Sequence, residues 1–406
     1  MVAGSITARA CRAPEEMLAA AGAISHYFGF RPDAAWLERW LTFFELDRMH
    51  AAFDGGAIVG GAGAFSLELT VPGGVVPAAG VSIVGVLPTH RRRGALTALM
   101  RAQLDDVRKR GEPVACLWAS EETIYERFGY GLGVMAMEMT IPRERTRFRA
   151  PFSPVGPVRI VSTDEALAIL PGIFDRVCAR TAGMLSRSPA WWKNRRLFDS
   201  PDRRSGGGPL EHVVLEVDGK PEAYALYRMH HDHVHQGASK FDVLEAIGTT
   251  PEATRTLWRF LLDVDWMGSI CARVLSTDHP LRLLLAEPRS AGFRVYDTLW
   301  IRLVDVGGAL AARSFAGEAS IVVDVRDAFC EWNAGRWTIG QGGAKRTDAG
   351  AEIALDVSDL GAVYLGGFSF RDLAEARRVD ELRPGALARA DAIFRTERPP
   401  YNAEMF

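Results

Sequence analysis

The sequence predicts a mixed α/β chain of three successive segments, and three observations predict it. A strand, an amphipathic helix and a second strand follow one another between Val75 and Ala119, the order that builds a parallel strand pair. The order strand, strand, helix returns between Tyr224 and Leu262. From about residue 297 the pattern changes to short alternating strands and two late helices. These shifts divide the chain at 1–148, 149–296 and 297–406, and each piece is long enough to bury a core of its own.

In the first segment, Ala34 to Phe44 has helical spacing, with Trp36, Trp40 and Phe43/Phe44 apolar. Asp54-Gly55-Gly56 reads as a hairpin turn. Val75 to Leu87 is a long strand, and Gly94 to Arg110 is a helix whose apolar face is Leu96, Leu99, Met100, Leu104 and Val107. Gly111 ends that helix, Pro113 bars its continuation, and Val114 to Ala119 is a short buried strand. Pro142 to Pro157, rich in proline and arginine, reads as a linker. In the second segment, Ser200 to Pro209 reads as a glycine-rich loop, followed by strands Tyr224–Met229 and Lys240–Ile247 and the helix Glu252–Leu262. Ser320–Val325 and Ala351–Val357 are strands of the third segment, and Arg371–Arg378 and Pro384–Phe394 its helices.

Composition excludes several classes. Lys and Arg number 48 against 50 Asp and Glu, so no global basic excess points to nucleic acid. The five cysteines are scattered, with no CxxC, which fits a reducing cytoplasm better than a disulfide framework or a structural zinc site. No apolar run is long enough to span a bilayer, and the stretch Met17–Ile24 follows two glutamates where a secretory signal would carry positive charge.

Chemistry concentrates in Val84 to Thr97. The strand stops at Pro88, which cannot donate to a ladder. A basic turn, Arg91-Arg92-Arg93-Gly94, then opens a helix at Ala95, Leu96 and Thr97. Free N–H groups at a helix start bind phosphate, helped by the helix dipole and the arginines. Gly94 permits close approach of a pyrophosphate. Backbone groups of Val84, Gly85 and Val86 would pair with an amide-bearing arm such as pantetheine, as an added strand does. The bland alternative is a solvated basic turn capping an ordinary helix; the order strand, proline, basic turn, glycine, amphipathic helix argues against it.

This segment resembles the acetyl-CoA signature of the GCN5-related N-acetyltransferases, Q/R-x-x-G-x-G/A. Arg91 and Gly94 match, while Leu96 stands where Gly or Ala is usual. The fit is closer to one branch, the Eis (enhanced intracellular survival) family, in V-x-V-x-P-T-H-R-R-R-G-x-L at Val84–Leu96 and S-E-x-x-I-Y-x-R-F-G-Y-G at Ser120–Gly131. Looser likeness lies at Tyr224–Arg228, at Tyr364–Gly367 and in the terminal phenylalanine. The resemblance implies two acetyltransferase-like domains, the second without the cofactor motif, and a C-terminal sterol-carrier-like domain. It implies acetyl-CoA as co-substrate, a polyamine or aminoglycoside-like amine as acceptor, and a homo-oligomer, a hexamer in the family; a metal is not expected.

The resemblance also implies roles. Tyr125 is the general acid that protonates the leaving thiolate. Ser120 and Glu121, which follow the strand Val114–Ala119, join the cofactor site. The carboxylate of Phe406 is the general base. Read without the family, Tyr125 is equally a tyrosine packed on the core, and the terminus a frayed tail. Trp36, Trp40, His26 and Glu404 are candidates for the amine cleft, though Trp36 and Trp40 sit at core spacing. Tyr130 and Cys116 read as packing. The run His230–His235 suggests a metal but lacks a further ligand, and reads as a polar edge or turn. Two other functions stay open: a protein lysine acetyltransferase, and a non-catalytic protein holding an apolar ligand in the C-terminal domain.

Overall fold

A computed structural model describes residues 6–232 and 238–406. The chain forms two compact units. The first comprises residues 1–134, 298–397 and 404–406, and the second comprises 135–297 and 398–403. This division differs from the sequence boundaries: the first cut falls near 134 instead of 148, and most of the third segment shares a unit with the first.

The elements run β1 (Thr7–Ala10), α1 (Pro14–Ser25), α2 (Ala34–Trp40), β2 (Met49–Asp54), β3 (Ala57–Val71), β4 (Gly74–Val86), α3 (Ala95–Lys109), β5 (Val114–Trp118) and β6 (Gly131–Pro142). Next come β7 (Val158–Ile160), α4 (Thr163–Cys178), β8 (Glu211–Val217), β9 (Lys220–His230), β10 (Lys240–Gly248), the helix Pro251–Leu262, β11 (Ser269–Ser276) and β12 (Arg294–Leu303). The last stretch holds β13 (Ser320–Arg326), β14 (Gly335–Gly340), β15 (Gly343–Arg346), β16 (Ile353–Asp356), β17 (Asp380–Glu381) and helices at Val306–Ala311, Val357–Tyr364, Phe370–Glu375 and Ala386–Phe394.

In the first unit the strand order is β1-β2-β3-β4-β5-β12. The predicted parallel pair is present: β4 lies parallel to β5, with α3 as the crossover. Helix α3 buries Leu99, Met100, Leu104 and Val107, as its 3.6 period requires, and also Gln103, whose amide donates to the Gly63 carbonyl at 3.0 Å. The core between α3 and the sheet includes Ala79, Val81, Ala115, Leu117, Tyr125, Phe128 and Tyr130. Helix α1 packs directly on strand backbone. A Cβ on Gly61 would lie 2.5 Å from the Ala20 carbonyl oxygen, and one on Gly85 would lie 2.6 Å from Ile24 Cβ. A second sheet of this unit has the order β15-β14-β13-β16-β17.

The second unit repeats the theme. Its strands follow the order β6-β11-β10-β9-β8-β7, with β10 parallel to β11 across the helix Pro251–Leu262. Ser162 and Glu165 close a capping box on α4. Arg187 and Glu245, both buried, form an ion pair at 2.6 Å in its interior.

No described helix is long and apolar enough to cross a membrane. His233 and His235 lie outside the described residues, so the histidine run is only partly visible: His230 ends β9, and the His231 Nδ1 is 3.3 Å from the Ser239 hydroxyl. Among the described residues no three His, Cys, Asp or Glu side chains are grouped to hold a metal.

Candidate functional site

The site begins with a strand that leaves its neighbour. β4 pairs with β5 only at Ala78, Ala79 and Gly80. Beyond Gly80 the two strands part. One cause is a bulge in β4: Ser82 pairs with Gly63 and Gly85 with Gly61, so Ile83 and Val84 together oppose the single residue Ala62. Ile83 takes φ 57°, a left-handed conformation that a β-branched residue enters only under constraint. The bulge is invisible in the sequence, because nothing about an isoleucine announces positive φ.

Between the parted strands opens a cleft of about 560 Å³. It is lined by Val84, Gly85 and Val86 from β4, by Arg91, Arg92, Gly94, Ala95, Leu96 and Thr97 from the turn and α3, and by Ser120, Glu121 and Tyr125 beyond β5. Thus ten of the eleven expected cofactor residues face one space, together with the expected acid. Arg93 is the exception: its guanidinium is turned to Asp54 at 2.8 Å and does not line the cleft. Arg92 and its neighbour Arg91 are the arginines of the turn that line it. Gly94 holds φ +87° as the N-cap of α3, which any side chain would resist, although a Cβ there would meet nothing. Its conformation alone favours glycine here, and the open space above it is where a pyrophosphate would approach. The first intrahelical bond is Ala98 N–H to the Gly94 carbonyl. The amides of Ala95, Leu96 and Thr97 therefore lack helical partners and suit an anion.

Sequence reasoning missed Ile24, Tyr27, Phe28, His90, Ile124 and Arg127 on the same walls. Tyr27 matters most: its phenol donates to the Val86 carbonyl at 2.8 Å. The signal was available in the aromatic run His26-Tyr27-Phe28-Gly29-Phe30 directly after α1. His26 is exposed and lines a second cavity of about 540 Å³ with Leu18, Phe30, Arg31 and Leu87.

Tyr125 is 6 % exposed and packs edge-on to Tyr130 at 5.9 Å. Burial, and then the charge of Glu121, push its phenol up to about 12, so it stays protonated through neutral pH. Tyr130 and Cys116 are wholly buried core residues.

The terminus is ordered. Phe406 meets Phe65 edge-on at 6.1 Å, and its Cε2 lies 3.2 Å from where a Cβ of Gly80 would be. The ring therefore sits at the last rung before β4 and β5 separate. Phe65 stacks on Trp40 at 5.7 Å, and Trp40 on Trp36 at 4.6 Å. Trp40 is core, as its spacing suggested, while Trp36 is half-buried. Glu404 is buried at 3 % exposure.

Comparison with known proteins agrees with this geometry. Models described as "Acetyltransferase (GNAT) domain" match residues 12–133 and 183–303, and one described as "Sterol carrier protein domain" matches 306–403. An uncharacterized N-acetyltransferase of Streptomyces avermitilis is 42% identical over 371 residues, 90% of each chain. The N-acetyltransferase Eis of Mycobacterium tuberculosis is 36% identical over 406 residues, 97% of each chain. The crystal structure of Eis1 from Mycobacterium abscessus superposes with a TM-score of 0.84 at 33% identity, covering 98% of this chain and 100% of that one. A GCN5-related N-acetyltransferase from Anabaena variabilis, at 21% identity and TM-score 0.83, shares the fold. These matches retire the reading of a non-catalytic carrier: the chain is an N-acetyltransferase of the Eis family, with two GCN5-related domains and a sterol-carrier-like domain.

Proposed function

We propose that the enzyme transfers acetyl from acetyl-CoA to an amine of a small polyamine or aminoglycoside-like molecule by direct attack, with Tyr125 as general acid and the Phe406 carboxylate as general base. The observation that carries this reading is the seating of Phe406 against Gly80, where the strands part. The cleft that Tyr125 lines opens just beyond that rung, which supports a role there for the carboxylate of the same residue. The pyrophosphate would rest on the free amides of Ala95 to Thr97 beside Arg92, and the pantetheine arm along Val84 to Val86.

The amine nitrogen attacks the thioester carbonyl, and a C–N bond forms. As the C–S bond breaks, the sulfur takes the Tyr125 proton, which solvent later restores. Before attack the ammonium gives one proton to the terminal carboxylate, directly or through one water, which frees the lone pair; the second N–H proton, lost as the amide forms, passes to solvent. Amines of the lysine type are protonated below about pH 10.4, so a resident acceptor is needed at neutral pH. Trp36 and Phe406, the partly exposed ends of the aromatic run Trp36–Trp40–Phe65–Phe406, are the rings a cationic amine would approach.

The test has two arms. Thiol release is measured across polyamines, aminoglycosides and lysine peptides, and the small multi-amines are expected to turn over fastest. A chain extended by a short tag past Phe406 is expected to bind acetyl-CoA normally and to lose turnover. Wild-type turnover with the tag intact by mass spectrometry would remove the base assignment; a preference for lysine peptides would replace the acceptor class.

A further inference from the structure

The turn that carries Tyr125 is not self-supporting. Residues 126–128 make one 3₁₀ turn, closed by Phe128 N–H to the Tyr125 carbonyl at 2.9 Å and followed by Tyr130 N–H to the same oxygen at 3.3 Å. Such a turn is too short to hold a shape alone. Its outer surface, however, is gripped at four of the next six positions by residues from the later part of the same unit.

Glu126 accepts from Arg378, whose Nε also donates to Asp359 at 2.5 Å. Phe128 meets Phe329 edge-on at 5.0 Å, and Phe329 is itself covered by the Arg101 guanidinium at 3.9 Å from the ring centre. Gly129 holds φ +82°, and any Cβ there would collide with the Arg302 guanidinium. Arg302 is fully buried and fixed by two bonds to Asp327, at 2.9 and 2.8 Å; Asp327 also accepts from Cys330 N–H at 2.8 Å and Asn333 Nδ2 at 3.0 Å. A Cβ on Gly131 would collide with the Ser358 carbonyl oxygen. Gly131 is therefore required by the sterol-carrier-like segment that lies over it, and Gly129 by Arg302 of β12, which Asp327 of that segment holds; both are stronger conditions than turn geometry alone.

We propose that the sterol-carrier-like segment serves catalysis as the template for the Tyr125 turn, with Phe329 and Arg378 as positioning residues. The inference rests on the reading of Tyr125 as the acid. Neither residue lines the cofactor cleft, so each acts through the aim of the phenol and not through binding. A phenol displaced by about an ångström from the sulfur loses most of its advantage as a donor.

The experiment compares Phe329→Leu and Glu126→Ala, alone and combined with Tyr125→Phe, in the full chain. Glu126→Ala releases the turn from Arg378 while leaving the Arg378–Asp359 bond, and Glu126 is exposed, so the variant folds. Three readouts are taken: kcat, the acetyl-CoA dissociation constant, and hydrogen exchange of the Tyr130 amide. Each single variant is expected to lower kcat by roughly five- to twentyfold, leave the dissociation constant within twofold, and speed Tyr130 exchange. In the Tyr125→Phe background the same changes are expected to cost nothing further. An unchanged kcat with faster exchange, or losses that multiply in the Tyr125→Phe background, overturns the template. Full activity in Tyr125→Phe alone overturns instead the acid assignment on which the template depends.

Discussion

Replacing Tyr125 by phenylalanine removes one oxygen from the cleft wall and leaves the ring to pack on Tyr130 at 5.9 Å as before. The fold and the cofactor affinity are expected to hold, since the arginines and the α3 amides are untouched. Acid catalysis of this kind contributes about 10²- to 10⁴-fold. The expected loss in kcat is therefore about a hundredfold or more, or roughly 2.7 kcal/mol of transition-state stabilisation. The pH dependence makes the prediction sharper. An ordinary tyrosine titrates near 10 and would be half ionised there. Burial, aided by the Glu121 charge, moves Tyr125 to about 12. The proton is retained below that value and lost as the pH rises through it, so at pH 10 only about 1 % of the phenol is ionised. Wild-type kcat at saturating amine is expected to show no alkaline fall between pH 8 and 10, measured by thiol release, with the dissociation constant taken by calorimetry. Tyr125→Phe at more than half of wild-type kcat would refute the argument. So would a wild-type alkaline limb centred near pH 10 that disappears in the variant.

Arg92→Glu is expected to weaken acetyl-CoA by roughly tenfold to a hundredfold, the scale of one charge-assisted contact. Arg93→Glu is expected to change it by less than threefold, because Arg93 is committed to Asp54; calorimetry on the two variants checks the difference. Arg48 is fully buried and bonded to Glu112 at 2.8 Å, so Arg48→Met leaves a buried carboxylate without its partner. It is expected to cost about 3–5 kcal/mol, lowering the melting temperature by roughly 10 °C in a scanning calorimeter.

Much of the site was legible because it depends on local chemistry. A proline that ends a strand, arginines in a turn and a glycine at a helix start each act within a few residues. Val84 to Thr97 therefore announced a phosphate-binding helix start before any fold was known. Strand β4, helix α3 and strand β5 fell within about a residue of their expected limits, since alternation and the 3.6 period are direct imprints of which face is buried. What the sequence concealed depends on distant partners. Arg93 reads like Arg92 until Asp54, thirty-nine positions earlier, is seen to hold it. Tyr27 gains its meaning from Val86, and Gly129 and Gly131 gain theirs from Arg302 and Ser358. The unit boundaries were concealed for the same reason: composition shifts at 148 and 297 mark changes in local pattern, whereas compactness is decided by contacts between residues hundreds of positions apart.

The doubled step at Ile83 and Val84 makes the cleft a matter of counting. Two residues of β4 span what one residue of β3 spans. Delete either, and the strand recovers the even alternation of an unbroken ladder. Gly85 and Val86 keep their partners Gly61 and Gly60, but the bend and extra twist that the bulge gives β4 are lost. The free edge of β4 can then close onto β5. An in-frame loss of three nucleotides would thus seal the binding site with almost no change in composition, charge or hydropathy. The recognition of a cofactor is stored here partly as a length. A relative could share nearly every residue of this stretch, lack that one unit of length, and have lost the chemistry.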